Sequence, residues 1–158
     1  MSWVTTGLNS PCGLAINVIN NYIYCANQNL NTISRISLTE PPIVNNNWAT
    51  NLNSPYGLAI DTVNGYIYCS CVNGSISRIK LTDKPVVENN WAIVDSNSDP
   101  CSLAINNGYI YCTNQSSKKI SKISLTNPTG DNNLNWVILG ETDLSCFSKI
   151  NNEYMYCS

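Results

Sequence analysis

Tryptophan falls at Trp3, Trp48, Trp91 and Trp136, at intervals of 45, 43 and 45 residues, and the sequence between them returns with the same period. One string runs Pro11-Cys-Gly-Leu-Ala-Ile, Pro55-Tyr-Gly-Leu-Ala-Ile and Pro100-Cys-Ser-Leu-Ala-Ile, with a degenerate Ser145-Cys-Phe-Ser-Lys-Ile. A second is Tyr-Ile-Tyr-Cys at Tyr22, Tyr66 and Tyr109, closing with Tyr154-Met-Tyr-Cys157. A third is Ile-Ser-Arg-Ile or Ile-Ser-Lys-Ile around Arg35, Arg78 and Lys122. A fixed period of this length restricts the chain to architectures built from one stacked unit.

Each string is short, rich in β-branched and aromatic residues, and bounded by Asn, Gly, Pro or Ser, the pattern of a strand. No segment has helical periodicity. The unit therefore reads as four strands: A (Gly-Leu-Ala-Ile), B (Tyr-Ile-Tyr-Cys), C (Ile-Ser-Arg-Ile) and D, led by tryptophan. Asn106-Asn107-Gly108 and its counterparts between A and B tolerate the positive φ of tight hairpins. Four antiparallel strands every 40 to 45 residues is the period of a β-propeller blade. The expected fold is all-β, a single partial propeller with units at approximately 11–51, 55–94, 100–139 and 145–158 and a lone outer strand at 3–7.

Pro-x-Gly-Leu-Ala-Ile followed by Tyr-Ile-Tyr and an Arg-Ile strand resembles the NHL-repeat family and its six-bladed relatives. The resemblance covers nearly the whole chain. It departs at the loops, where NHL repeats usually carry aspartate and this chain mostly has Asn17, Asn27, Asn73, Asn106 and Asn114. Family functions that need acidic loops, calcium-dependent lactonase chemistry among them, lose their residues here. Asn-rich composition with abundant Ile, Tyr, Ser and Thr is also similar to that of proteins of amoeba-infecting giant DNA viruses.

The strand count comes to about three and a half blades. A ring of fewer than four is not expected, and a repeat unit needs neighbours on both sides to bury its faces. Three readings follow: a homo-oligomer, which we favour, a longer parent chain, and a compact four-bladed monomer.

Eight cysteines in 158 residues invite pairing, although the N-terminus has no export signal. Six sit at two fixed points of the unit, before strand A (Cys12, Cys101, Cys146) and at the end of strand B (Cys25, Cys112, Cys157). A register placing Cys12 opposite Cys25 serves all three units and brings opposed Cα atoms to about 4.5 Å, within disulfide reach. It predicts Cys12–Cys25, Cys101–Cys112 and Cys146–Cys157. A competing register, with Asn107-Gly108 as a two-residue turn, offsets Cys101 from Cys112 by two positions. Buried free thiols and metal binding by cysteine are the other readings. In the second unit Tyr56 replaces the first cysteine and Cys71 is added, so Cys69 or Cys71 becomes a candidate intermolecular thiol.

Histidine is absent, and only 8 Lys plus Arg face 10 Asp plus Glu. The commonest general base and metal ligand are therefore missing, and no basic field is available for nucleic acid. No apolar run reaches the roughly 18 to 20 residues of a membrane span, which leaves a soluble chain, in a virion or in the cytoplasm. The carboxylates do not recur at one blade position, and no cofactor motif is visible. The tryptophans are expected to pack between blades, and Arg35, Arg78 and Lys122 to be solvated. Asn73 and Asn114 head glycosylation sequons. The expected function is a non-enzymatic, self-associating and disulfide-stabilised assembly module of a virion or filament. The alternative is a propeller that binds protein or glycan through its Asn-rich loops.

Overall fold

The computed structural model describes residues 4, 6–94, 98–130 and 132–138, and the backbone of 147–150 and 155–157. The strands are β1 (Pro11–Asn17), β2 (Tyr22–Asn27), β3 (Thr32–Ser37) and β4 (Val44–Ala49), then β5 (Pro55–Asp61), β6 (Tyr66–Cys71), β7 (Ser75–Lys80) and β8 (Val87–Ile93). They continue as β9 (Pro100–Asn106), β10 (Tyr109–Asn114), β11 (Lys119–Ser124), β12 (Asn133–Ile138), β13 (Phe147–Ile150) and β14 (Met155–Cys157). β1–β4, β5–β8 and β9–β12 form three four-stranded antiparallel sheets in chain order, and β13 pairs with β14. This is the β-propeller expected from the repeat. Of the lone outer strand expected at 3–7, Val4, Thr6 and Gly7 are described and lie in no strand; Trp3, Thr5 and Cys146 fall outside the described residues.

The first strand of each sheet is innermost: β1 lies beside β5, and β5 beside β9. Their approach is so close that a Cβ on Gly13 would overlap the carbonyl oxygen of Tyr56, and one on Gly57 that of Cys101. Glycine is required at these two crossings because backbone meets backbone.

Between blades the core is apolar. Tyr24 and Trp48 of the first blade pack with Leu58, Ile67 and Ile79 of the second. Tyr68 and Ile76 of the second pack with Leu103, Ile110 and Ile123 of the third. Within each blade the tyrosine of strand B and the tryptophan of strand D pair at 4.7, 4.9 and 5.0 Å between ring centroids, within the range of favourable aromatic pairs. Trp48 also donates through Nε1 to the carbonyl of Thr82 in the next blade (2.9 Å). Trp48 thus packs between blades and Trp91 lies partly buried against the next junction, whereas Trp136 is 37% exposed. All three lie near the end of strand D instead of leading it, β4 starting four residues before Trp48, at Val44.

The hairpin register differs from the one that aligned the cysteines. Leu14 faces Cys25 and Pro11 faces Asn27, with an irregularity between. Leu103 faces Cys112 and Pro100 faces Asn114 in the same way. Two residues of the inner strand, Cys12-Gly13 or Cys101-Ser102, therefore oppose one residue of its neighbour, as in a β-bulge. The third blade turns through Asn107-Gly108, the competing register.

Candidate functional site

The bulge explains why Cys12 and Cys25, and likewise Cys101 and Cys112, are not joined in disulfides, which corrects the expectation of those two pairs. Cys101 lies against Thr113, Sγ to Oγ1 3.1 Å, and Thr113 follows Cys112 in β10. Neighbours on a strand point to opposite faces, so Cys101 and Cys112 lie on opposite sides of the sheet. Cys12 hydrogen-bonds the carbonyl of Ser10 at 3.1 Å. The third expected pair, Cys146 with Cys157, falls outside the residues whose side chains are described.

Cys69 and Cys71 are both fully buried, which corrects their assignment as intermolecular thiols: neither sulfur is reachable in the folded chain. Asn27 donates to Ser34 Oγ and Asn114 to Ser121 Oγ, each at 2.8 Å. Cys71 occupies the same place in its blade, with Sγ 3.4 Å from Ser77 Oγ. It replaces a structural asparagine. Burial, with Cys12 adding to it, pushes the Cys25 thiol up to about 11, and burial raises Cys69 well above its ordinary value. Cys71 moves down to about 6 because Cys69 and Ser77 hydrogen-bond its sulfur, against the cost of burial.

The basic stripe is not solvated as expected. Arg35 stacks over Tyr22, Arg78 over Tyr66 and Lys122 over Tyr109, at 4.5, 4.5 and 4.0 Å to the ring centroids. Arg35 also pairs with Asp83 of the next blade (2.8 Å), and Arg78 with Glu88 (2.7 Å). Strand C has a neighbour on each side, so its long side chains lie along the sheet over the tyrosine of strand B.

The Asn-rich loops are occupied by their own turns. Asn17 is buried, and its Oδ1 accepts from the amides of Ile19 and Asn20. Asp61 does the same for Val63 and Asn64. These are Asx turns, which either residue serves, so the exchange of aspartate for asparagine costs the fold nothing. Of the two sequons, Asn114 is buried in β10 and Asn73 is exposed.

A cavity of about 210 Å³ opens where the inner strands begin. It draws Gln28 from the first blade, Tyr56 and Val72 from the second, and Asp99, Pro100 and Gln115 from the third. Its rim is fixed by the backbone: the amide of Gln28 donates to Ser10, that of Val72 to Ser54 and that of Gln115 to Asp99. Among the described residues no cluster of three or more His, Cys, Asp or Glu could hold a metal ion. No helix among them is long and apolar enough to cross a membrane.

No protein-family model and no curated protein matches the chain. Solved structures do. Virginiamycin B lyase from Staphylococcus aureus superposes with a TM-score of 0.67 at 18% identity, over 90% of this chain and 46% of that one. A structure of a nidogen/laminin complex matches with a TM-score of 0.63 at 14% identity, over 82% and 49%. The computationally designed Ika4 protein matches at 0.61 and 11%, over 91% and 82%. This chain spans less than half the length of the lyases. An enzyme among these neighbours corrects the expectation that the chain is non-enzymatic, because catalysis is at home on this fold. At such identities the likeness carries the architecture alone. By fold the chain is a β-propeller.

Proposed function

We propose that the chain is a protein-binding propeller unit that completes its ring with a second copy of itself. One observation carries this reading. Leu58 and Leu103, equivalent residues on the inner strands of the second and third blades, are 8% and 9% exposed, whereas Leu14 of the first blade is 65% exposed. Leu58 and Leu103 are covered by the preceding blade. Leu14 has the same sequence context and lacks that cover. Ile16 is 57% exposed, while its equivalents Ile60 and Ile105 are half-buried.

The turn residues Val18 and Ile19 are also exposed, but so is Val63 in the second blade, so they do not distinguish the faces. Cys25 and Ile36 are buried, but Leu38 after strand C is 41% exposed, whereas its equivalents Leu81 and Leu125 pack against the cores of the next two junctions, so the uncovered face runs from the inner strand to the end of strand C. Covering a leucine side chain fully is worth about 1.5–3 kcal/mol, and a repeat face left open favours whatever supplies the next unit. The repeat strings support blades of the NHL type and units near 11–51, 55–94 and 100–139. A virion or filament setting has composition as its sole support.

Negative-stain imaging of the native protein tests the reading. A closed ring containing more blades than one chain supplies is expected, opening on Leu14→Asp. Isolated open arcs in the wild type would refute it.

A further inference from the structure

In a repeat protein the framework dictates the same residue at the same place in each unit, so departures that converge on one place point to something outside the framework. Three such departures line the cavity at the start of the inner strands. Tyr56 stands where the sister blades have Cys12 and Cys101, Val72 where they have Gln28 and Gln115, and Asp99 where they have Ser10 and Ser54. The framework does not need them. Ser10, Ser54 and Asp99 share the same left-handed backbone (φ 47°, 43° and 44°) and the same carbonyl hydrogen bond to the start of the B–C loop. Serine serves that geometry in two blades, so the carboxylate at Asp99 is not demanded by the turn. Cysteine likewise fits the position of Tyr56 in both sister blades.

What the three substitutions change is the chemistry of the cavity. Tyr56, Val72 and Pro100 give it aromatic and aliphatic lining, and Asp99, Gln28 and Gln115 carboxylate and amide groups. Asp99 is further held by the hydroxyl of Ser116, which donates to it. No lysine or arginine lines the cavity, which disfavours phosphate or carboxylate ligands. Aromatic and aliphatic side chains beside carboxylate and amide groups suit a ring with one C–H face and several hydroxyls: the apolar groups take the face, and amide and carboxylate oxygens accept from hydroxyls while amide nitrogens donate. We infer that this cavity binds a single neutral sugar residue, free or at the end of a glycan.

The site differs from the uncovered face of the first blade and does not depend on ring completion. Nor does it use the Asn-rich A–B turns, which lie at the other end of the inner strands.

The test is saturation-transfer NMR on the full chain with methyl glycosides of glucose, galactose, mannose and N-acetylglucosamine, followed by titration calorimetry of any that respond. Tyr56→Cys and Asp99→Ser, studied with reductant present, each restore the residue a sister blade already accommodates, so both should keep the native melting profile. At least one glycoside is expected to bind, with its ring protons saturated, and each variant to weaken it tenfold or more. A terminal sugar on an oligosaccharide binding more tightly than the free glycoside would identify a glycan end as the source, and equal affinity a free sugar. The inference is overturned if no glycoside responds, if both variants bind like the wild type, or if only amines or anions bind.

Discussion

The first and second blades are nearly the same in sequence and differ in what lies against their inner strands. Pro11-Cys-Gly-Leu-Ala-Ile and Pro55-Tyr-Gly-Leu-Ala-Ile fold into matching strands with the same bulge and the same leucine–cysteine register. Yet Leu58 is buried and Leu14 exposed. Burial in this molecule therefore belongs to the stack and not to the blade. A blade supplies an apolar face, and only the blade before it can cover that face.

The largest effect that sharpens this contrast is expected from truncating the leucines. Leu58→Ala and Leu103→Ala should each cost about 2–5 kcal/mol of unfolding free energy, independent of protein concentration. Leu14→Ala should cost little in dilute solution and progressively more as concentration rises, because association stabilises by mass action. Urea titrations at several concentrations check this, and equal costs at all three positions in dilute protein would break the comparison.

The junction glycines come next. A methyl group on Gly57 meets the backbone of Cys101, whereas one on Gly65 meets open space. Gly57→Ala should therefore destabilise by about 3 kcal/mol, near the upper end for overpacking. Gly65→Ala should cost about 1 kcal/mol, through its positive φ of 72° alone. Thermal melts of the two variants measure the difference.

A junction tyrosine gives a pH test of similar but smaller size. Burial pushes Tyr68 up to about 12 from 10, so its contribution is intact below pH 10 and is lost as pH rises towards 12, with the unfolded chain ionising first. The loss should be about 2 kcal/mol, seen as a falling denaturant midpoint that Tyr68→Phe flattens. Tyr24 is raised by burial too, but a hydrogen bond from Asn20 pulls it back.

The smallest effect belongs to the exposed ion pair across the first junction. Asp83 is 89% exposed where it meets Arg35, so Asp83→Asn should change stability by less than about 0.5 kcal/mol. A larger loss in a chemical melt would mean that charge, and not the apolar stack, holds the blades together.

The repeat made the architecture legible: strand order, hairpin pairing and the place of Trp48 between blades follow from strings that recur. The cysteine pairing was not legible, because a bulge at Cys12-Gly13 shifts the register without altering the spacing that alternation reads. Cys71 looked like a spare thiol until its blade was aligned with Asn27 and Asn114, whose bond to serine it replaces. The cavity was hidden for a related reason. Tyr56, Val72 and Asp99 lie far apart in sequence and mean little singly, although each could have been marked as a break in the repeat. Which of them meet depends on how three blades stack.

Sedimentation equilibrium of the full chain over a wide concentration range separates a stack completed by a second copy from one that stands alone. The mass is expected to rise from 17.4 kDa to twice that value, with Leu14→Asp held at the single-chain mass. A wild-type chain that stays at the single-chain mass at every concentration would contradict completion by a second copy.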